Sequence, residues 1–400
     1  MRLRTYESFW LLKNGLLYTY PLLQKNITTD YIVVGGGITG ALISDALIEH
    51  NYKVTLIDRR DIGQGSTAAT TSMLQYEIDK MLVDLSDMIG EEAAALCYKA
   101  GRSAIKDLEK MVTEKNIDCD FDKKKSLYIA HNRRASVKLH QEFLLRKKHR
   151  LGVRWLTAEQ VLKQYGVLSY GGILSDTAAS ADAYKLAHEL IWQNTGKGLQ
   201  VFDQTSIKKI TEQKNGATIY TTDNYKLQAK KIIFCTGFES TYLLKEKIAH
   251  LFNTYACISE PGAKINKKLK DTLVWDTNDP YIYMRTTGDG RLLIGGEDND
   301  QLKQSNQQEV KEKKSTKLVK KVTRLVPGIS FIEDFSWGGV FGSTRDSLPY
   351  VGVSPEYKHG YFVLGFGGNG ITFSMQARKI LIDHLQNKPN ELGQYYRFGR

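Results

Sequence analysis

Residues 30–58 read DYIVVGGGITGALISDALIEHNYKVTLID. Asp30-Tyr31-Ile32-Val33-Val34 is a short apolar, β-branched run, the pattern of a buried parallel strand. A glycine loop follows at Gly35-Gly36-Gly37-Ile38-Thr39-Gly40. The spacing of Ile38, Ala41, Ser44 and Leu47/Ile48 predicts a helix over 41–49. His50-Asn51 ends it, since asparagine tolerates the left-handed residue past a helix end. Lys53 to Ile57 is a second strand, closed by Asp58. The whole is a βαβ unit carrying G-x-G-x-x-G.

Each motif residue has a task in gripping a dinucleotide. Gly35 permits the tight turn, Gly37 lets a pyrophosphate approach the backbone, and Gly40 lets the helix pack close to the strand. The helix start offers free N–H groups and a positive dipole end to phosphate, so Ile38 and Thr39 join the set. Asp58 stands where a carboxylate accepts from ribose hydroxyls. An ordinary glycine-rich turn is the plain alternative. It does not call for the acid at the end of the second strand.

Outward from this unit, the chain has 400 residues, 42% apolar and 25% charged, with a net charge of +12. That excludes a disordered, collagen-like or disulfide-scaffold protein and fits two to three domains. Cys97, Cys119, Cys235 and Cys257 form no C-x-x-C pair, which suggests a reducing compartment, the cytoplasm. The eight histidines show no ligand spacing, so no metal site is expected. Residues 1–25 read as an amphipathic extension rather than a signal peptide, and no apolar run is long enough for a membrane span.

Arg59 to Met73 is small and hydroxyl-rich, including Gly65, Ser66, Thr67 and Thr71. A nicotinamide enzyme would continue with another regular βα unit. Such a loop suits a buried flavin, or else a flexible surface. Two more blocks bear on the choice. Ala229 to Phe234 leads to Cys235-Thr236-Gly237, and Trp337-Gly338-Gly339 leads through Thr344-Arg345-Asp346-Ser347-Leu348-Pro349 to Gly365-Phe366-Gly367-Gly368-Asn369-Gly370. Gly360 to Leu364 reads as a strand, and a helix is predicted over 371–385. A second strand–glycine loop–helix start therefore sits near the carboxyl end.

In these three blocks the chain resembles the FAD-dependent D-amino-acid-oxidase-type family, which includes glycine, sarcosine and γ-glutamylputrescine oxidases. The resemblance implies an α/β fold: a Rossmann-like FAD-binding domain with a second α+β substrate domain built on an antiparallel sheet. It places the FAD domain at 26–90, 176–245 and 333–392, and the substrate domain at 91–175 and 246–332. Noncovalent FAD is the implied cofactor. Its candidate contacts extend to Arg59, Ile207, Thr236, Gly237, Gly367, Gly368, Asn369, Gly370, Ile371 and Thr372.

The implied reaction is oxidation of a C–N bond in an amine or an N-substituted or D-amino acid. Hydride passes to flavin N5, the imine hydrolyses, and oxygen or another acceptor removes the electrons. Three positions depart from relatives. Phe341 replaces the arginine that pairs with substrate carboxylate, Thr372 replaces a lysine, and Gly339 replaces the cysteine bonded to flavin in sarcosine oxidases. Tyr281, Tyr283 and Arg285 alternate onto one face of a strand expected to cover the ring, and are the substrate-positioning candidates. Two readings remain: Arg285 or Arg345 replaces the lost anchor from a different strand, or the substrate is an amine or N-substituted compound whose carboxylate, if any, lies far from the flavin; the plain alternative for Arg285 is a surface salt bridge.

Other classes are a flavoprotein acting on tRNA, a non-catalytic FAD-binding subunit and an NAD(P)-linked reductase. Basic clusters at 123–125, 146–150 and 267–270 would favour the first, but they are dispersed and lack interleaved aromatics. No nucleic-acid partner is expected. Asp58 disfavours NADP, whose 2′-phosphate it would repel.

Overall fold

The structure, a computed structural model, describes residues 3–5, 8–300 and 308–400. Two sheets organise it. The first runs, in spatial order, 350–353, 360–364, 226–234, 27–34, 54–57 and 200–202, with the hairpin 207–213 and 216–221 continuing beside 226–234. Strand Ile27–Val34 is parallel to both Lys226–Phe234 and Val54–Ile57, with Val34 beside Phe234 and Ile57. Its last four residues are all buried: Tyr31 and Val33 pack against helices on one face, Ile32 and Val34 against Ala217, Ile219, Phe238 and Leu244 on the other.

Helix Ile38–Glu49 begins directly after the glycine loop and is buried from Gly40 to Ile48. Asp45 lies on that buried stretch and accepts from Lys115, Asn194 and Arg378. Burial alone would raise its carboxyl; the Arg378 charge, Asn194 and Lys115 together hold it below the usual range. The cluster ties Ile38–Glu49 to Gly370–Leu385, the helix after the second glycine loop. The hydroxyls of Thr39 and Ser374 meet at 2.8 Å between the same two helices.

The second sheet runs 333–343, 250–259, 292–299, 282–286, 272–276, 122–129, 172–180 and 73–75, with 153–156 also on 172–180. It is antiparallel except where Thr272–Asp276 runs parallel to Asp122–Ile129. Met73–Gln75, the end of Gly172–Ser180 and Glu333–Ser343, which the sequence division groups with the FAD-binding segments, are strands of this sheet. Strands crossing between sheets are hard to divide by composition.

The described part of 1–25 packs on the body. Phe9 and Trp10 are buried, and Thr5 and Leu3 pair with Gly338 and Val340 on the edge strand. No helix among the described residues is long and apolar enough to cross a membrane. All four cysteines are free and buried.

Candidate active site

Where the two glycine loops meet the second sheet, the protein encloses a cavity of about 490 Å³. Gly35 turns the chain with φ of 108°, a conformation that favours glycine, and its N–H donates to Ile57 O at 2.8 Å. Gly40 lies underneath: a Cβ there would overlap the Gly35 carbonyl. Helix Ile38–Glu49 has no side-chain cap, because its first flanking residue is Gly37. Ile38 N–H donates instead to Thr67 Oγ at 2.9 Å, and the neighbouring Ser66 hydroxyl is buried without a partner. Uncapped N–H groups, a positive helix end and an orphaned hydroxyl together suit an anion.

Asp58 accepts the N–H of Gly36 at 2.7 Å and of Arg60 at 2.8 Å, one on each oxygen. Burial pushes its carboxyl up, and these two donors pull against that. Each oxygen keeps a lone pair for a hydroxyl donor. Thr205, Ser206 and Ile207 complete this wall, as do Phe238 and Glu239. Glu239 takes ion pairs from both Arg59 and Arg60.

A second part of the wall is built by Gln75, Glu77, Asp79, Thr254, Trp275, Tyr281, Tyr283, Asp298 and Phe341. Asp79 accepts the N–H of Gly368 at 2.9 Å and faces Tyr281 OH at 3.4 Å, so the stretch after Met73–Gln75 is tied to the second glycine loop. Burial pushes the Asp79 carboxyl up, against those two bonds. Burial, opposed by a Thr254 hydrogen bond and reinforced by the Asp79 charge, raises Asp298 to about 6. Helix Gly370–Leu385 also starts without a side-chain cap; Asn369 spends its amide on Gln75 O and Glu77 O.

Of the dinucleotide candidates from sequence, all but Gly40 and Thr372 line the cavity. Gly40 acts from beneath, as its packing role requires. Thr372 does not reach: it is buried and its hydroxyl turns back to Asn369 O. Tyr281 and Tyr283 line the wall, but Arg285 does not. Its guanidinium is buried and donates to the carbonyls of Thr71, Thr286 and Ala181, with Trp10 5.4 Å away. It is buried rather than held in a surface salt bridge, it lies off the cavity wall, and it braces the Thr71 loop. Arg345 is exposed and off the wall.

Sequence reasoning missed Leu3, Glu77, Asp79, Glu239, Trp275 and Asp298. The signal for two of them was present: in Gln75 to Asp79, alternate residues line the cavity while Tyr76 and Ile78 are buried behind. Elsewhere, Glu91, Glu92 and His149 come close enough to share an ion. Glu91 is already engaged by Lys148 and His149.

The cradle fits FAD: two uncapped helix starts, the Ser66 hydroxyl and Asp58 would hold the pyrophosphate and a ribose, with room beyond for a ring system. Comparison with known proteins agrees. The family described as FAD dependent oxidoreductase (DAO) matches residues 30–383. A Bacillus subtilis (strain 168) protein named for a Rieske 2Fe-2S iron-sulfur centre, YhfW, is 22% identical and covers 96% of this chain and 74% of its own length. Glycine oxidase from Geobacillus kaustophilus (strain HTA426) is 23% identical over 90% of this chain and 93% of its own. The crystal structure of glycine oxidase from G. kaustophilus superposes with a TM-score of 0.77 at 20% identity, covering 94% of this chain and 100% of that one. The chain belongs to the family of FAD-dependent oxidoreductases, and FAD is its cofactor.

Proposed function

We propose that this protein oxidises a C–N bond of an amine, with FAD held noncovalently. Bound FAD supplies the two-electron acceptor for hydride from the carbon that carries nitrogen. The chain's own residues do the positioning. Helix starts at Ile38 and Gly370 offer N–H groups to negative charge. Tyr281, Tyr283, Trp275 and Phe341 supply an apolar, aromatic surface over the reacting carbon and keep water from it. Asp79 and Asp298 are the groups placed to take a proton from an incoming ammonium, since the amine must be neutral when hydride leaves.

The observation that carries this reading is the make-up of the wall. Phe341 lines the wall at the position where the family resemblance implies an arginine for substrate carboxylate, and the cations among the described lining residues, Arg59 and Arg60, both pair with Glu239. The glycine oxidase relative supports C–N chemistry in general. Gly339 stands on the wall at the position where the resemblance implies a flavin-bonded cysteine in sarcosine oxidases, and the lining thiol of Cys235 is buried. The division into an FAD domain and a substrate domain belongs to the same proposal.

The test is an anaerobic screen of amines, N-methyl amino acids and D-amino acids, following loss of visible flavin absorbance. Bleaching by amines supports the reading. Bleaching by glycine or small D-amino acids alone would overturn the inference from Phe341.

The basic clusters behind the tRNA alternative are interrupted, although Lys123, Lys125, Lys147, Arg150 and the lysines of 267–270 are exposed. Arg146 is fully buried, Lys124 is buried against Lys270 O, and Lys148 and His149 pair with Glu91.

A further inference from the structure

Which amines the cavity admits is written in two buried carboxylate oxygens that lack a hydrogen-bond donor. Glu77 is only 3% exposed; one oxygen accepts from Ser175 and lies 3.5 Å from Arg146, while Oε2 has no hydrogen-bond partner. Oδ1 of Asp298 is likewise buried and without a partner. Both residues line the cavity. A carboxylate oxygen sequestered from water and left without a donor is costly, so these atoms mark where a ligand donor belongs.

The rings beside them point to the ligand's charge. Trp275 and Tyr281 stand 6.4 Å apart edge to face, and Tyr281 and Tyr283 are 5.7 Å apart. Aromatic faces attract an ammonium through their quadrupole, most strongly where water is excluded. An α-carboxylate placed here would instead face Glu77, Asp79 and Asp298, with no described lining cation beyond the two already held by Glu239.

We propose that Asp79 and Asp298 determine specificity, and that they select an organic cation: an amine whose charged nitrogen lies among these carboxylates and rings, with no carboxylate beside the reacting carbon. This deepens the amine-oxidation reading and rests on it.

The test uses two ring compounds of similar size that cannot be oxidised at the site, benzyltrimethylammonium and benzoate. Each is titrated into the purified holoprotein, with binding read by calorimetry and by perturbation of the flavin spectrum. The cation should bind at least about tenfold more tightly than the anion. Asp298→Asn should weaken the cation by about tenfold or more with flavin content unchanged, and Asp79→Asn should weaken it as much in the protein that retains flavin. Tighter binding of benzoate to wild type, or full cation affinity in flavin-replete variants, overturns the proposal. The wild-type comparison decides the matter even if a variant misfolds. Absence of flavin from the purified protein would instead count against the amine-oxidation reading, and calorimetry still reads the charge preference.

Discussion

Gly40 lies so close beneath Gly35 that a Cβ on residue 40 would overlap the Gly35 carbonyl oxygen. The helix therefore cannot keep its place over the strand with any larger residue. Gly40→Ala should destabilise the protein by about 2–4 kcal/mol, since the obstacle is backbone and cannot swing away. It should also purify with little flavin. Denaturant unfolding and visible absorbance check both, and a variant with wild-type midpoint and colour would contradict the packing described.

Asp58 holds the turn as well as facing the cavity. Asp58→Ala frees the N–H groups of Gly36 and Arg60 and removes an acceptor from the wall. FAD affinity should fall by about tenfold or more. Fluorescence titration of the apoprotein with FAD measures this; unchanged affinity would take Asp58 out of the site.

Arg146 is buried among Tyr98, Tyr128, Glu77 and Glu142. Glu142 also accepts the N–H groups of Leu82 and Val83, the start of helix Leu82–Ile89. Arg146→Ala leaves buried carboxylates uncompensated and should cost about 3–5 kcal/mol. Arg146→Ala together with Glu142→Gln should lose less than the sum of the two, which a double-mutant cycle reads directly.

Binding of benzyltrimethylammonium, whose charge is fixed, should depend on pH through Asp298. That carboxyl is raised to about 6, chiefly by burial, with Thr254, Asp79, Lys314 and Asp279 as its neighbours. The cation should bind weakly near pH 5 and tighten through about pH 6 toward about pH 7 as the acid ionises. Stability runs the other way. The folded value lies above the unfolded one, so the contribution is present below about pH 4 and is lost as pH rises through about 6. Asp298→Asn should remove that loss. Flat affinity across the window would exclude Asp298 as the binding group.

Oxygen acquires negative charge as it is reduced, and a nearby cation assists it. Here the lining cations are paired to Glu239 and the remaining wall is acidic. Photoreduced protein should react with air-saturated buffer at least about tenfold more slowly than with an artificial electron acceptor. Stopped-flow mixing measures both rates; equal rates would refute the expectation.

The glycine loops were legible because each is a local device. A turn needing positive φ, an uncapped helix start and an acid at a strand end all follow from short-range spacing, and the residues at 35, 37–39, 58 and 367–371 do line the cavity. What escaped was depth and long-range pairing. Alternation put Arg285 on the same face as Tyr283, but not how far along the strand the cavity extends. Glu77 and Asp79 carry a signal, the alternation of Gln75 to Asp79, but a short one that does not say which face meets a cavity. Leu3 reaches the wall only because the arm pairs with residues more than three hundred positions away.

The parallel pairing of Ile27–Val34 with Lys226–Phe234 constrains the order of events during synthesis. While the chain leaves the ribosome, the amino-terminal strand waits beside Val54–Ile57 for a neighbour made much later. The arm waits longer still, for Gly338 and Val340. The nucleotide cradle is thus closed by pairings of high sequence separation, which slow folding because the chain between them must be brought together first.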